Sequence, residues 1–290
     1  MTREGIIMKG IGGFYYVRCD DDTFECKAKG IFRNEGIKPI TGDRVTVSIN
    51  ENAENTIDVI HERATVMTRP LVANIDKLFI ISSVIEPRPV LLIIDKLTAL
   101  AVDKGIEPIV VFTKCDKANG DRYADIYRRV NIKAFCVSSK TGEGIDNIKA
   151  EILGYISAFA GNTGVGKSSL LNAIEPSLNL NTSEISDALG RGKHTTRHSE
   201  LLEVGGGFVA DTPGFASIVS EDSENVAKEN LPFAFKEFVP YLGKCKYSTC
   251  RHVNDQGCKI IEAVELGEIP VSRHESYKML LEQAEQIKEW

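Results

Sequence analysis

The sequence predicts a multidomain chain: an N-terminal OB-fold β-barrel over residues 1–66, a central α/β P-loop domain over 67–220, and a mainly helical, metal-holding domain over 221–290. Three observations carry that prediction. Short β-branched or alternating segments separated by turn residues fill the first part. From about residue 70, apolar strands alternate with helical patterns and run into a glycine-rich loop. Three cysteines and a histidine then gather within fourteen residues, between Cys245 and Cys258.

In the first part Gly5–Lys9, Phe14–Cys19, Thr23–Ala28 and Arg44–Ile49 read as strands. Gly12-Gly13, Asp20-Asp21-Asp22, Asn34-Glu35-Gly36 and Thr41-Gly42-Asp43 separate them as turns. Four or five short strands in this length suggest a small barrel of the kind often used to bind RNA. A fold alone argues function only by analogy.

In the central part Leu78–Ile85 is a continuous apolar strand, suited to a sheet buried on both faces. Helical periodicity follows at Leu91–Val102, a strand at Glu107–Phe112, a helix at Arg122–Val130, and a strand at Ala134–Val137. A helix at Ile145–Leu153 and a strand at Tyr155–Phe159 lead into the glycine loop. Such alternation makes βαβ units whose ligands bind at the carboxyl ends of the strands. After Ser217 the pattern turns helical and polar, ending in a charged amphipathic helix, Arg273–Trp290, expected to pack on its own domain.

Bulk composition narrows the setting. The N-terminus has no secretory apolar run, and the longest apolar stretches, such as Val90–Ile94, are too short to span a bilayer. The expectation is a cytoplasmic, monomeric protein without a membrane partner. Seven cysteines, unevenly placed, argue against a secreted disulfide framework, so Cys19 and Cys26, flanking an Asp-rich turn, read as reduced thiols in strands. A net charge of −6 means that a polyanionic partner would meet local basic patches, such as Arg191, Lys193, His194, Arg197 and His198.

Gly161-Asn162-Thr163-Gly164-Val165-Gly166-Lys167-Ser168 matches the Walker A pattern, with Ser169 following. Glycines let successive backbone N–H groups turn inward around a phosphate. Lys167 supplies charge to the β- and γ-phosphates, and the Ser168 hydroxyl a ligand for Mg²⁺. A short apolar strand ends in Asp211-Thr212-Pro213-Gly214, offering a carboxylate to the metal and the Gly214 N–H to the γ-phosphate. Between these motifs, Gly190-Arg191-Gly192-Lys193-His194-Thr195-Thr196 is a basic loop in which Thr195 or Thr196 can reach Mg²⁺.

Base selection belongs to Thr113-Lys114-Cys115-Asp116, at the end of a strand. A carboxylate at Asp116 can accept from guanine N1–H and the 2-amino group, neither of which adenine offers. Ser138-Ser139-Lys140, after the next strand, forms the second wall of the pocket. These base motifs precede the P-loop, so the order is circularly permuted, and the chain leaves the nucleotide fold directly after Gly214. Phe215 follows that glycine and cannot orient water; His194 is the candidate for that role, with a plain basic contact as the alternative. Cys245, Cys250, His252 and Cys258 supply three thiolates and one imidazole, the closed set of one structural Zn²⁺.

With those residues in place the chain resembles the ribosome small subunit-dependent GTPase A family (RsgA, also called YjeQ or YloQ) over essentially its whole length. The likeness rests on Thr41-Gly42-Asp43-Arg44-Val45, Val72-Ala73-Asn74-Ile75-Asp76, the permuted motifs, Asp211-Thr212-Pro213-Gly214-Phe215 and the Cys-Cys-His-Cys cluster. It implies GTP hydrolysis stimulated by the small ribosomal subunit, binding to its rRNA, and a part in late subunit maturation. Thr113 stands where that family usually has asparagine, and Ser139 where alanine is commoner. The competing readings are a P-loop ATPase or kinase, and an RNA-binding module that nucleotide merely stabilises.

Overall fold

The computed structural model describes residues 1–34, 36–50, 53–68, 71–180, 199–211 and 225–286. At the N-terminus lie β1 (Thr2–Ile11), β2 (Phe14–Cys19), β3 (Asp22–Ala28), a short helix α1 (Gly30–Asn34), β4 (Arg44–Ser48) and β5 (Asn55–Ile60). They pair in the order β1-β2-β3-β5-β4, and β4 returns to β1, closing a five-stranded barrel. Alternation explains the closure: Ile7, Val17, Cys19, Cys26, Val45, Val47 and Ile57 point inward to one core, and Phe32 of α1 packs there too. Cys19 and Cys26 are free thiols. Neither α1 nor β5 follows from the sequence patterns above.

A hairpin of β6 (Val66–Thr68) and β7 (Leu71–Ala73) leads into the central sheet. Its elements are β8 (Lys77–Ser83), α2 (Leu91–Asp103), β9 (Glu107–Thr113), α3 (Asp121–Arg128), β10 (Lys133–Cys136) and α4 (Ile145–Ile152). They continue with β11 (Ile156–Ala160), α5 (Lys167–Ile174), β12 (Glu200–Val204) and β13 (Gly207–Asp211). The strand order is β10-β9-β8-β11-β13-β12, parallel except for β12. Every residue of β8 and β11 is buried, as a two-faced sheet requires. One face takes α2 and α3 through Ile94, Leu97 and Tyr127, the other α4 and α5 through Ile148, Ile152 and Leu170.

The chain builds outward from β8 to β9 and β10, then returns to lay β11 on the other side of β8. That reversal opens a crevice at the carboxyl ends of β8 and β11, where open α/β sheets bind ligands. The antiparallel β12 also pairs with β1 at Lys9↔Glu200, joining barrel and central sheet.

The C-terminal elements are α6 (Leu231–Ala234), α7 (Lys259–Glu265) and α8 (Val271–Gln286). The predicted terminal helix begins earlier than Arg273, and it packs across α2 of the central sheet as well as on its own neighbours. Arg273, His274, Tyr277, Leu280 and Leu281 are its buried side, the inward face that an amphipathic helix requires. No helix among the described residues is long and apolar enough to cross a membrane.

Candidate nucleotide site and metal cluster

The phosphate-loop candidate starts where β11 ends. Gly161 has φ +149°, and a Cβ there would lie 2.2 Å from the Ile81 carbonyl oxygen of neighbouring β8, so the close approach admits only glycine. Gly166, at φ +96°, turns the chain into α5. The Lys167 ammonium lies back over its own loop, donating to the carbonyls of Gly161 (2.7 Å) and Asn162 (2.8 Å). Burial lowers its pKa to about 8. Ser168 is buried, Ser169 half-buried, and Thr163 and Gly164 are exposed at the loop tip.

The base-reading candidate meets that loop directly. Thr113 is buried, and its hydroxyl donates to the Val165 carbonyl at 2.5 Å. Lys114 adopts φ +62°, and its ammonium donates to the Gly164 carbonyl at 2.8 Å and to that of Glu86. Burial lowers the Lys114 pKa, and nearby Lys117 adds to the effect. The Cys115 N–H donates to Val137 O at 3.1 Å, fastening the segment to the end of β10. The Ser138 hydroxyl donates to the Asp116 carboxylate at 2.8 Å, bringing the two base motifs together. Ser138 is fully buried, while Ser139 is half-buried and Lys140 exposed.

Thr113–Val165 and Lys114–Gly164 are therefore contacts between segments about 50 positions apart, in reversed motif order. The Thr113 hydroxyl thus braces the loop, with Gly166 at an ordinary van der Waals distance from it: a Cβ there would sit 3.6 Å from Thr113 Oγ1. Asp211 ends β13, whose register beside β11 brings it to the crevice end of the sheet. Its side chain, and His194, Thr195, Thr196 and Gly214, lie outside the described residues.

The metal-cluster candidate forms around a histidine in left-handed backbone, His252 at φ +63°. Its Nδ1 lies 3.6, 3.4 and 3.5 Å from the sulfurs of Cys245, Cys250 and Cys258, and Cys245 and Cys258 sulfurs are 3.9 Å apart. Tetrahedral zinc with ordinary bond lengths puts sulfur and nitrogen ligands about 3.6 Å apart, and two sulfurs about 3.8 Å. The donor set fits such an ion. The sequence did not reveal what supports it. His274 Nε2 lies 2.7 Å from the His252 carbonyl oxygen, and the Tyr277 hydroxyl donates to Arg251 O at 3.0 Å. Their i, i+3 spacing on one helix face was the available signal.

Two quoted motifs prove to be a seam. The Ala73 N–H donates to Thr41 O (2.9 Å), and the Asn74 amide to Gly42 O (2.9 Å). Asp43, fully buried, accepts from the Ile40 N–H and the Arg63 guanidinium. The Thr41 hydroxyl also donates to Ser199 O at 2.8 Å, beside β12.

Comparisons with known proteins agree with this architecture. The model of the RsgA N-terminal domain matches residues 4–57, and that of the RsgA GTPase residues 59–220. "Small ribosomal subunit biogenesis GTPase RsgA" of Geobacillus sp. (strain WCH70) is 40% identical over 98% of both chains. The protein of that name from Clostridium beijerinckii (strain ATCC 51743 / NCIMB 8052) is 40% identical over 97% of both. The crystal structure of YjeQ from Thermotoga maritima, 33% identical, superposes with a TM-score of 0.84, covering 99% of this chain and 100% of that one. YloQ, a circularly permuted GTPase, is 30% identical with a TM-score of 0.83, covering 100% of this chain and 97% of its own. With a family model matching residues 59–220 and relatives 40% identical over nearly the whole chain, the chain belongs to the RsgA GTPase family.

Proposed function

We propose that this chain is a cytoplasmic, monomeric GTP hydrolase that binds the small ribosomal subunit through its rRNA and acts late in that subunit's maturation. The double bridge Thr113–Val165 and Lys114–Gly164 carries the nucleotide half, because it supports a single pocket with a base end and a phosphate end. The subunit half rests on the nearly full-length match to relatives named for small ribosomal subunit biogenesis.

In this reading Ser138 holds the Asp116 carboxylate while its remaining lone pairs accept from guanine N1–H and the 2-amino group. An adenine there would leave a desolvated carboxylate without donors. The backbone of Ser139 and Lys140 meets the base carbonyl, and the stem of Lys114 lies over the purine. Lys167 exchanges the Gly161 and Asn162 carbonyls for phosphate oxygens, and charge that burial disfavours is thereby matched. Ser168 and Asp211, with Thr195 or Thr196, would hold Mg²⁺, which neutralises charge on the β- and γ-phosphates. Gly214 would contact the γ-phosphate, and His194 would orient the attacking water once the subunit engages. Cys245, Cys250, His252 and Cys258 would hold one Zn²⁺, whose closed coordination makes it a folding element.

Steady-state GTP turnover with small subunits, large subunits and neither tests the proposal. Stimulation by small subunits alone, unaffected by excess ATP, is expected. Equal turnover in all three mixtures, or ATP displacing GTP, overturns it. A His194→Ala protein that keeps its full stimulated rate removes the role given to that side chain.

A further inference from the structure

The seven cysteines fall into three settings. Three make the metal cluster. Cys19 and Cys26 are sealed in the barrel, where burial pushes both thiols up. Cys115, within the candidate base-reading segment, and Cys136, at the end of β10, are half-buried free thiols that both face Gly120. Both sulfurs border one point: a Cβ on Gly120 would lie 3.0 Å from Cys136 Sγ and 3.2 Å from Cys115 Sγ. The register of β9 and β10 sets Cys136 beside Phe112, and the bond from the Cys115 N–H to Val137 O turns Cys115 back over that strand end. The Cys115 thiol donates to Phe112 O at 3.2 Å and the Cys136 thiol to Asp121 Oδ1 at 3.7 Å. The neighbouring Cys136 thiol draws the Cys115 thiol below its ordinary range, and Cys115 together with burial raises Cys136. A thiol shifted that way is the more reactive of a pair.

We propose that Cys115 and Cys136 form a peroxide-sensitive dithiol whose closure to a disulfide weakens guanine-nucleotide binding. Its chemistry is self-contained apart from the oxidant. The Cys115 thiolate attacks one oxygen of hydrogen peroxide and becomes a sulfenic acid, and the departing hydroxide takes up a proton to leave as water. The Cys136 sulfur then attacks the sulfenic sulfur, the S–S bond forms, and the hydroxyl leaves with the Cys136 proton as a second water. Two sulfurs lose two electrons in all, and one peroxide gains them.

The consequence for binding follows from place, and it rests on the nucleotide reading above. A disulfide holds its sulfurs about 2.05 Å apart. Cys136 ends a strand laddered to β9, whereas Cys115 lies in a turn that begins with Lys114 in left-handed backbone. The turn therefore moves. Its movement strains the Asp116–Ser138 bond and the Lys114–Gly164 bridge together.

The test treats the full-length, zinc-loaded chain with limiting peroxide, then alkylates and maps its peptides, with zinc release followed by a chromogenic reporter. The expected result is a Cys115–Cys136 linked peptide, formed before zinc is lost and reversed by dithiothreitol. The Kd for a fluorescent GDP analogue should rise by about tenfold on oxidation. Cys136→Ser, or Cys136→Ala should the serine protein fold poorly, should keep its reduced-state Kd through the same treatment. Failure of the linked peptide to form, or an unchanged Kd in the linked protein, overturns the proposal. A reduced protein that does not bind the analogue strikes instead at the nucleotide reading, and takes the switch with it.

Discussion

The two flanking parts of this chain are attached to the central sheet in opposite ways. The barrel is joined mainly by main-chain and polar contacts: one strand pairing at Lys9↔Glu200, and a turn at Gly42 locked onto Ala73 and Asn74, with Met8 of β1 adding an apolar side chain to the central cluster. The C-terminal helices are joined as a core is. Phe235, Phe238 and Tyr277 pack in tilted and edge-to-face contacts with centroids 4.8–5.5 Å apart and share one apolar cluster with Ile94 and Leu97 of α2. Arg273, with no exposure at all, bonds to Asp95 at 2.7 Å and to Glu237 at 2.6 Å, and lies over the Phe235 ring. The first join can adjust one hydrogen bond at a time. The second must break all at once, because its charges have no solvent to return to. Ser199 and β12 sit at the adjustable join.

That contrast is most easily broken at the metal cluster. Chelation should unfold the loop that carries it and release α8, whose His274 and Tyr277 are tied to His252 and Arg251. Apparent binding energies for structural zinc are about 10–16 kcal/mol, so this is the largest effect expected. Amide exchange should show α8 losing protection while β1–β5 keep theirs; loss from the barrel first would reverse the comparison. Next comes Arg273→Ala. It strands Asp95 and Glu237 as buried charges, for about 3–5 kcal/mol in urea unfolding. A cost below about 1 kcal/mol would mean that water reaches the pair.

On the barrel side, Gly42→Ala combines two penalties. Its φ is +88°, and the new Cβ would lie 2.1 Å from the Ala73 carbonyl oxygen. Together these should cost about 2–4 kcal/mol, against about 1 kcal/mol for Gly12→Ala, where the backbone is also left-handed but nothing lies nearby. Thermal midpoints of the two variants separate the clash from the strain. Equal midpoints would show that the seam yields to a methyl group.

Features built from neighbouring residues were legible in the sequence. The glycine loop, the Thr113–Asp116 segment and the cysteine-histidine cluster each lie in a short run of sequence, and the cluster's four donors come together as their spacing suggests. Features made by distant partners were not. Arg273 reads as one more charge on a polar helix, since its partner Asp95 is 178 positions away. β12 carries Glu200 and Glu203, which conceal a strand whose acidic side chains meet Lys9 and Arg18 of the barrel. Thr113 was legible as a position but not as a brace: its partner, the Val165 carbonyl, is 52 positions away.

The smallest effect lies at that same edge. Lys9 and Glu200 are 2.7 Å apart, with side chains 32% and 43% exposed. A double-mutant cycle of Lys9→Ala and Glu200→Ala should give a coupling of about 0.2–1 kcal/mol. It should shrink toward zero in 1 M salt, where screening acts over about 3 Å. The strand pairing beneath it uses only backbone, so the double variant should keep β1 protected from amide exchange. A salt-independent coupling above about 2 kcal/mol would mean that the ion pair is desolvated, as in the C-terminal join. The barrel would then be held as rigidly as α8, and the distinction between the two attachments would collapse at the point where it is easiest to measure.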